Sequence, residues 1–249
     1  VANPYFQCKQ FIVHQQHTSM KVCTDACLFG AWIAKHTSLE RAHSIIDIGT
    51  GTGLLSLMLA QVTETSKSVI TGIEIESEAA AEAKSNFNIS KWNSRLLLVN
   101  DSIQNFTANN NLLFDIVISN PPFYEGDLKS PDDNKNKAAH STHLPWSSLV
   151  VSVASLLKNK GSFFVLVPTL RAYTMQKLAE KYQLHLAEEV LIYNDAKHLP
   201  FRSFLHFIKL NPSIDKEISV LRNKIVIRNE DNTYSAAFIE LLKDYYLNL

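Results

Sequence analysis

From residue 44 onward the chain alternates between short unbroken apolar blocks and longer segments whose apolar residues recur at helical spacing. The blocks at 44–48, 68–75, 95–99, 114–119 and 162–167 read as strands buried on both faces, because they lack the polar alternation of a half-exposed sheet. The segments at 54–61, 77–89 and 147–157 read as helices lying between them. Strands alternating with helices imply right-handed crossovers, hence an α/β fold with a doubly wound, mostly parallel sheet. Nearer the end, 185–193 and 203–210 read as two strands joined by the polar loop 194–202, a hairpin that puts one antiparallel strand at the C-terminal side. Segment 224–228 extends an edge, and 235–246 is a closing helix.

Ahead of this core, 10–14 forms a short strand, and Thr24 or Asp25 serves as N-cap for a helix over 26–35. The expected organisation is a single domain, 1–249, made of a prologue (1–43), a catalytic core (44–210) and a C-terminal extension (211–249).

Composition narrows the class. Lys plus Arg equals Asp plus Glu at 24 each, so any nucleic-acid contact must come from locally segregated charge. Cys8, Cys23 and Cys27 form no even disulfide framework, which suits a reducing cytoplasm. No apolar run reaches the roughly 18 residues of a membrane span. Cys23 and Cys27 stand at i, i+4; without a matching partner motif they read as two buried thiols rather than a metal pair.

The candidate chemistry begins where the fourth block ends, in Asn120, Pro121, Pro122 and Phe123. An exocyclic or amide nitrogen is a poor nucleophile because its lone pair is delocalised. Two acceptors, the Asn120 side-chain oxygen and the Pro121 carbonyl, can each take one N–H as positive charge develops on nitrogen, a stabilisation concentrated in the transition state. Consecutive prolines fix φ and hold those oxygens, and Phe123 offers a flat face on which a base stacks. Taken alone, the stretch is equally well a proline turn with a core phenylalanine.

A second constellation lies at the ends of the preceding strands. Asp47, Gly49, Thr50, Gly51 and Gly53 occupy the turn from the first strand into the first helix. The last glycine follows the second by two residues, where the dinucleotide fingerprint needs three, and an acid precedes the first. That carboxylate repels a pyrophosphate and suits a ligand with a cationic amino-acid portion, such as S-adenosylmethionine. Glu74, ending the next strand, is placed for the ribose hydroxyls, and Asp101, past the third, for the adenine amine. Singly, each acid has a plainer reading: Asp47 or Asp101 as a helix cap, Glu74 as solvated charge beside Glu76, Glu78 and Glu82. In order at successive strand ends they converge on one sheet edge.

This order resembles the Rossmann-like class I S-adenosylmethionine-dependent methyltransferases of the Asn-Pro-Pro-aromatic group, which act on adenine N6, guanine N2 or glutamine N5. Lys9-Gln10-Phe11, the run Met20 to Asp25, Gly30-Ala31-Trp32, Val226-Ile227-Arg228 and Tyr245-Tyr246-Leu247 are similar to the bacterial tRNA1(Val) adenine-N6 methyltransferases, over nearly the whole chain. The resemblance implies methylation of the adenosine 3′ of the anticodon, and it places Lys21, Thr24 and Asp25 around the methionine end of the cofactor. Cys23 stands where that family has glycine, and Phe123 where tyrosine is frequent.

For the RNA, two stretches offer charge. Lys129, Lys135 and Lys137 follow Phe123, near His140 and His143, in what is equally an exposed solvated loop. Residues 197–228 hold Lys197, Arg202, Lys209, Lys216, Arg222, Lys224 and Arg228 against Asp215 and Glu217, which makes this the better tRNA-facing patch. Two histidines without a third ligand give no metal site. The competing readings are an rRNA guanine-N2 or release-factor glutamine-N5 methyltransferase, and a nonenzymatic RNA-binding protein that retains the fold.

Overall fold

The computed structural model describes residues 3–18, 20–122, 144–211, 215 and 218–249. Phe123 and the cluster Lys129, Lys135, Lys137, His140 and His143 lie outside the described residues.

The apolar blocks form an eight-stranded sheet: β3 (Ser44–Ile48), β4 (Val69–Glu74), β5 (Leu96–Asn100), β6 (Phe114–Ser119), β7 (Leu157–Pro168), β8 (Leu184–Tyr193), β9 (Arg202–Lys209) and β10 (Leu221–Val226). Their order is β10-β8-β9-β7-β6-β3-β4-β5. Every neighbour pair is parallel except those that β9 makes with β7 and β8. The antiparallel strand therefore sits inside the sheet, and the short β10 returns parallel to close the edge. A separate pair, β1 (Tyr5–Gln7) with β2 (Ile12–His14), makes the start of the prologue.

Because side chains alternate along a strand, adjacent isoleucines feed different cores. Ile45 packs with α1 (Thr24–Ala34), α2 (Leu54–Val62) and Phe238 of α7 (Ala236–Leu242). Ile46 packs with Ile103 of α4 (Ile103–Asn109), with α5 (Trp146–Leu156) and with α6 (Ala172–Glu180). The remaining helix, α3 (Ser77–Ile89), buries Ala79, Ala80, Ala83 and Phe87. No helix among the described residues is long and apolar enough to cross a membrane.

Several expectations needed correction. The strand expected over 162–167 begins at Leu157, since a register shift against β6 admits Lys158, which pairs with Asp115 at 2.7 Å. The closing helix stops at Leu242, and Tyr245 is buried beyond it with its hydroxyl donating to Met58 O at 3.3 Å. Helix α1 begins two residues early, at Thr24, with Cys23 as an N-cap that provides no side-chain bond. Cys23 is also exposed, unlike the buried Cys27.

Candidate active site

The chain leaves β3 towards β4 and β5 on one side, and β6 and β7 on the other. Between β3 and β6 the sheet order reverses, and ligands of such sheets lie beyond the strand C-termini at that point. Ser119 fastens it: its hydroxyl donates to Ile48 O at 2.9 Å, holding the end of β6 to the end of β3.

The glycine loop wraps the carboxylate of Asp47. Thr50 Oγ1 and Ser56 Oγ donate to Asp47 Oδ2 at 2.7 and 2.8 Å. Asp47 Oδ1 is buried and finds no donor among the described residues. Burial pushes the carboxyl up to about 6, against the lowering effect of the Thr50 and Ser56 hydroxyls. Gly49, Gly51 and Gly53 all have positive φ, which only glycine adopts without strain. A Cβ built on Gly49 or Gly51 meets nothing within 4 Å, so the loop borders open space, whereas one on Gly53 would lie 2.4 Å from Phe87 Cε1.

Glu74 at the end of β4 supports that loop from below. One carboxylate oxygen accepts Gly51 N–H at 2.9 Å, and the other accepts Glu76 N–H at 3.0 Å. Asp101 follows β5, whose Asn100 stands in register with Glu74. Its Oδ1 accepts Ser102 N–H and Asn105 Nδ2, while Ser102 itself caps α4 by accepting Asn105 N–H. Asn120 directly follows β6, with Pro121 buried behind it. Asn120 Oδ1 is buried without a hydrogen-bond donor among the described residues. Thus Asp47, Glu74, Asp101 and Asn120 share one sheet edge.

The prologue residues are placed differently. Lys21 Nζ donates to the backbone carbonyls of Gln15 and Gln16. Thr24 and Asp25 line a cavity of about 200 Å³ with Asn194, Phe201, Ile227, Arg228 and Tyr234, none of them from the glycine loop. Asp25 Oδ2 accepts Arg202 Nε at 2.9 Å.

Two contributors escaped sequence reasoning. Glu82, grouped with solvated charge, is buried and accepts backbone N–H groups of Gln16, His17 and Thr18. The fully buried Asn86 exchanges hydrogen bonds with His14 and donates to Thr52 O at 2.9 Å, tying the prologue to the glycine loop. Their only sequence signal was a polar residue interrupting the alanine stripe of α3.

Four of the seven basic residues of the expected patch, Arg202, Lys209, Arg222 and Lys224, are placed differently from one another. Arg202 opens β9 opposite Pro168, whereas Lys209 ends it, its ammonium donating to Ala154 O and Leu157 O at 2.6 and 2.9 Å. Arg222 and Lys224 are exposed on β10, Arg222 beside Glu189 at 3.7 Å.

Comparison with known proteins decides the family. The methyltransferase small domain model matches residues 30–185. A tRNA1(Val) (adenine(37)-N6)-methyltransferase of Cytophaga hutchinsonii is 37% identical over 249 residues, all of both chains. The protein of the same name from Bacteroides thetaiotaomicron is 34% identical, again over the whole of both. This chain belongs to the tRNA1(Val) (adenine(37)-N6)-methyltransferase family. Family membership accounts for a match across the prologue and extension as well as the core. Among solved structures, a predicted O-methyltransferase from Agrobacterium tumefaciens superposes with a TM-score of 0.67 at 14% identity, covering 88% of this chain and 95% of that one. A 16S rRNA N2 G1207 methyltransferase of T. thermophilus, in complex with AdoMet and guanosine, gives 0.56 at 17% identity, covering 82% and 49%. These two share the class I methyltransferase fold.

Proposed function

We propose that this protein transfers a methyl group from S-adenosylmethionine to N6 of the adenosine 3′ of the anticodon in a valine tRNA, in the cytoplasm. The observation that carries the reading is the Asn120 side-chain oxygen, buried and unpartnered among the described residues at the sheet edge that also holds Asp47 and Glu74. A buried acceptor without a donor costs about 1–3 kcal/mol. Such a residue is retained where a ligand supplies the donor.

The residues present fit the cofactor. Asp47 Oδ1 is a second buried acceptor awaiting a donor, and the open space over Gly49 and Gly51 leaves room for a ligand against the backbone. Asp47, Gly49, Thr50, Gly51, Glu74 and Asp101 would hold the cofactor; Lys21, Thr24 and Asp25, which the family resemblance adds, would have to leave their contacts with the Gln15 and Gln16 carbonyls and the separate cavity to join it. When bound, S-adenosylmethionine supplies an electrophilic methyl group.

The chain's own part is to prepare the amine. Asn120 Oδ1 and the Pro121 carbonyl each accept one N–H of the adenine amino group, favouring the pyramidal nitrogen whose lone pair can attack. As nitrogen gains positive charge both hydrogen bonds strengthen, so the stabilisation falls on the transition state. Pro121 and Pro122 hold the acceptors in place, and Phe123 stacks on the base. The extra proton leaves after the N–C bond has formed, so no base is needed before attack.

For the tRNA, the exposed pair Arg222 and Lys224, two residues apart on one strand face, supports phosphate contacts better than Lys209, which is committed to the carbonyls of Ala154 on α5 and Leu157 on β7. The deciding experiment is methyl transfer from labelled cofactor to unmodified tRNA with nucleoside analysis of the product. N6-methyladenosine 3′ of the anticodon is expected; methylguanosine or no transfer would overturn the reading.

A further inference from the structure

His36 follows α1, Glu188 lies on β8 and His206 on β9, and each offers a ligand atom within 4.8 Å of the other two. None of the three belongs to the candidate active site. His206 is 3% exposed, and its ring stacks on Phe164 at 4.4 Å and meets the His36 ring edge-on at the same distance. His36 in turn packs against Trp32.

What distinguishes this cluster from a pair of core histidines is the arrangement around it. His206 Nε2 is engaged by Ser162 Oγ at 2.9 Å, and His36 Nδ1 by Ser38 Oγ at 3.1 Å. Glu188 Oε1 accepts Asn223 Nδ2 at 2.9 Å. Each side chain thus has one polar atom held by an outer partner and one left over. The leftover atoms do not satisfy each other: His36 Nε2 stands 3.8 Å from Glu188 Oε2, beyond hydrogen-bond range. Metal-ligating histidines and carboxylates have this pattern, in which the second heteroatom is fixed by a hydroxyl, amide or carbonyl. Burial lowers the pKa of both imidazoles, that of His206 to about 3, which keeps them in the neutral form that binds metals.

The geometry points to a divalent transition-metal site built from His36, Glu188 and His206. Two imidazoles and one carboxylate suit zinc, with water at the fourth position. Bonds of roughly 2.0–2.2 Å need the three ligand atoms to draw together slightly from their present spacing, a change that rotation of the partly exposed His36 and Glu188 side chains supplies. A bound ion would link the β8–β9 hairpin to the end of α1. Its role is to brace the fold.

The test uses untagged, chelator-stripped protein titrated calorimetrically with zinc chloride, and separately with cobalt(II) followed by visible absorption. One equivalent of zinc, a visible band typical of four-coordinate cobalt, and a raised melting temperature are expected. Glu188→Gln and His36→Gln should weaken zinc binding at least about 100-fold, and Ser38→Ala about tenfold, with far-UV circular dichroism and S-adenosylhomocysteine affinity retained. No saturable binding by the wild-type chain would overturn the site. So would binding that survives both His36→Gln and Glu188→Gln, since the ion would then be held elsewhere, for instance at the exposed Cys23.

Discussion

Asp25 on α1 accepts a 2.9 Å hydrogen bond from Arg202 Nε on β9, joining residues 177 positions apart. Both side chains are largely shielded, at 13% and 26% exposure, so the pair is screened less than a surface bridge. A hydrogen bond between charged groups contributes about 1.5–3 kcal/mol, and each kcal/mol shifts the melting temperature of a chain this size by about 2–4 °C. Arg202→Ala should therefore melt several degrees lower. Thermal denaturation of R202A, D25N and the double variant measures the coupling; strictly additive shifts would show that the pair contributes nothing.

Asn120→Ala should reduce single-turnover methyl transfer about 100-fold, equivalent to roughly 3 kcal/mol for one acceptor in a preorganised site. S-adenosylhomocysteine affinity should stay within a few-fold, because the amide is needed at the attacking amine. A normal single-turnover rate would remove Asn120 from the mechanism.

Glu74→Ala takes an acceptor from Gly51 N–H and Glu76 N–H together. The loop loses its support and the ribose its charged acceptor, so S-adenosylhomocysteine should bind about 10- to 100-fold more weakly. Calorimetric titration of the folded variant checks this.

The pH dependence of Asp47 has a definite sign. Its folded pKa, about 6, lies above the ordinary aspartate value of 3.8, so the folded chain holds the proton more tightly than the unfolded one. The stability this group contributes is fully present below about pH 4 and is lost as pH rises through about 6. Asp47→Asn should abolish that component and make the ligand-free protein more stable at pH 7, as thermal melts across pH 4–8 would show. A cationic ligand group favours the ionised carboxylate, so wild-type S-adenosylhomocysteine affinity should fall below about pH 6, and that of D47N should not.

Gly53→Ala combines a φ of +82° with a Cβ 2.4 Å from Phe87 Cε1. Strain and overpacking together should cost about 2–4 kcal/mol. Adding Phe87→Leu should recover the steric part and leave the backbone part, visible as a partial return of the melting temperature.

The strands were legible because burial on both faces writes continuous apolar runs: 44–48 and 114–119 matched β3 and β6 to the residue. Helix α6 was missed because its buried face is only Ala172, Met175 and Ala179, small or flexible side chains at helical spacing within a polar segment. The edge that gathers Asp47, Glu74, Asp101 and Asn120 was readable, since topology alone brings the ends of parallel strands together. The position of Thr24 and Asp25 was not, because the cavity they border is closed by residues around 194–234, a long-range meeting without periodicity. Lys209 and Arg222 carry the same charge, yet one donates to the backbone carbonyls of Ala154 and Leu157 and the other faces solvent.

Glu82 and Asn86 have a consequence for the order in which the molecule is made. Glu82 emerges from the ribosome 64 residues after Thr18, and Asn86 emerges 72 residues after His14. At about 5–20 residues per second, the stretch from His14 to Thr18 waits roughly 3–14 s for the side chains that receive its backbone amides. During that interval the backbone N–H groups of residues 16–18 lack the carboxylate that receives them in the fold. The prologue is thus synthesised before α3 and fastened late, and a pause in translation before α3 would leave it exposed to proteases and chaperones.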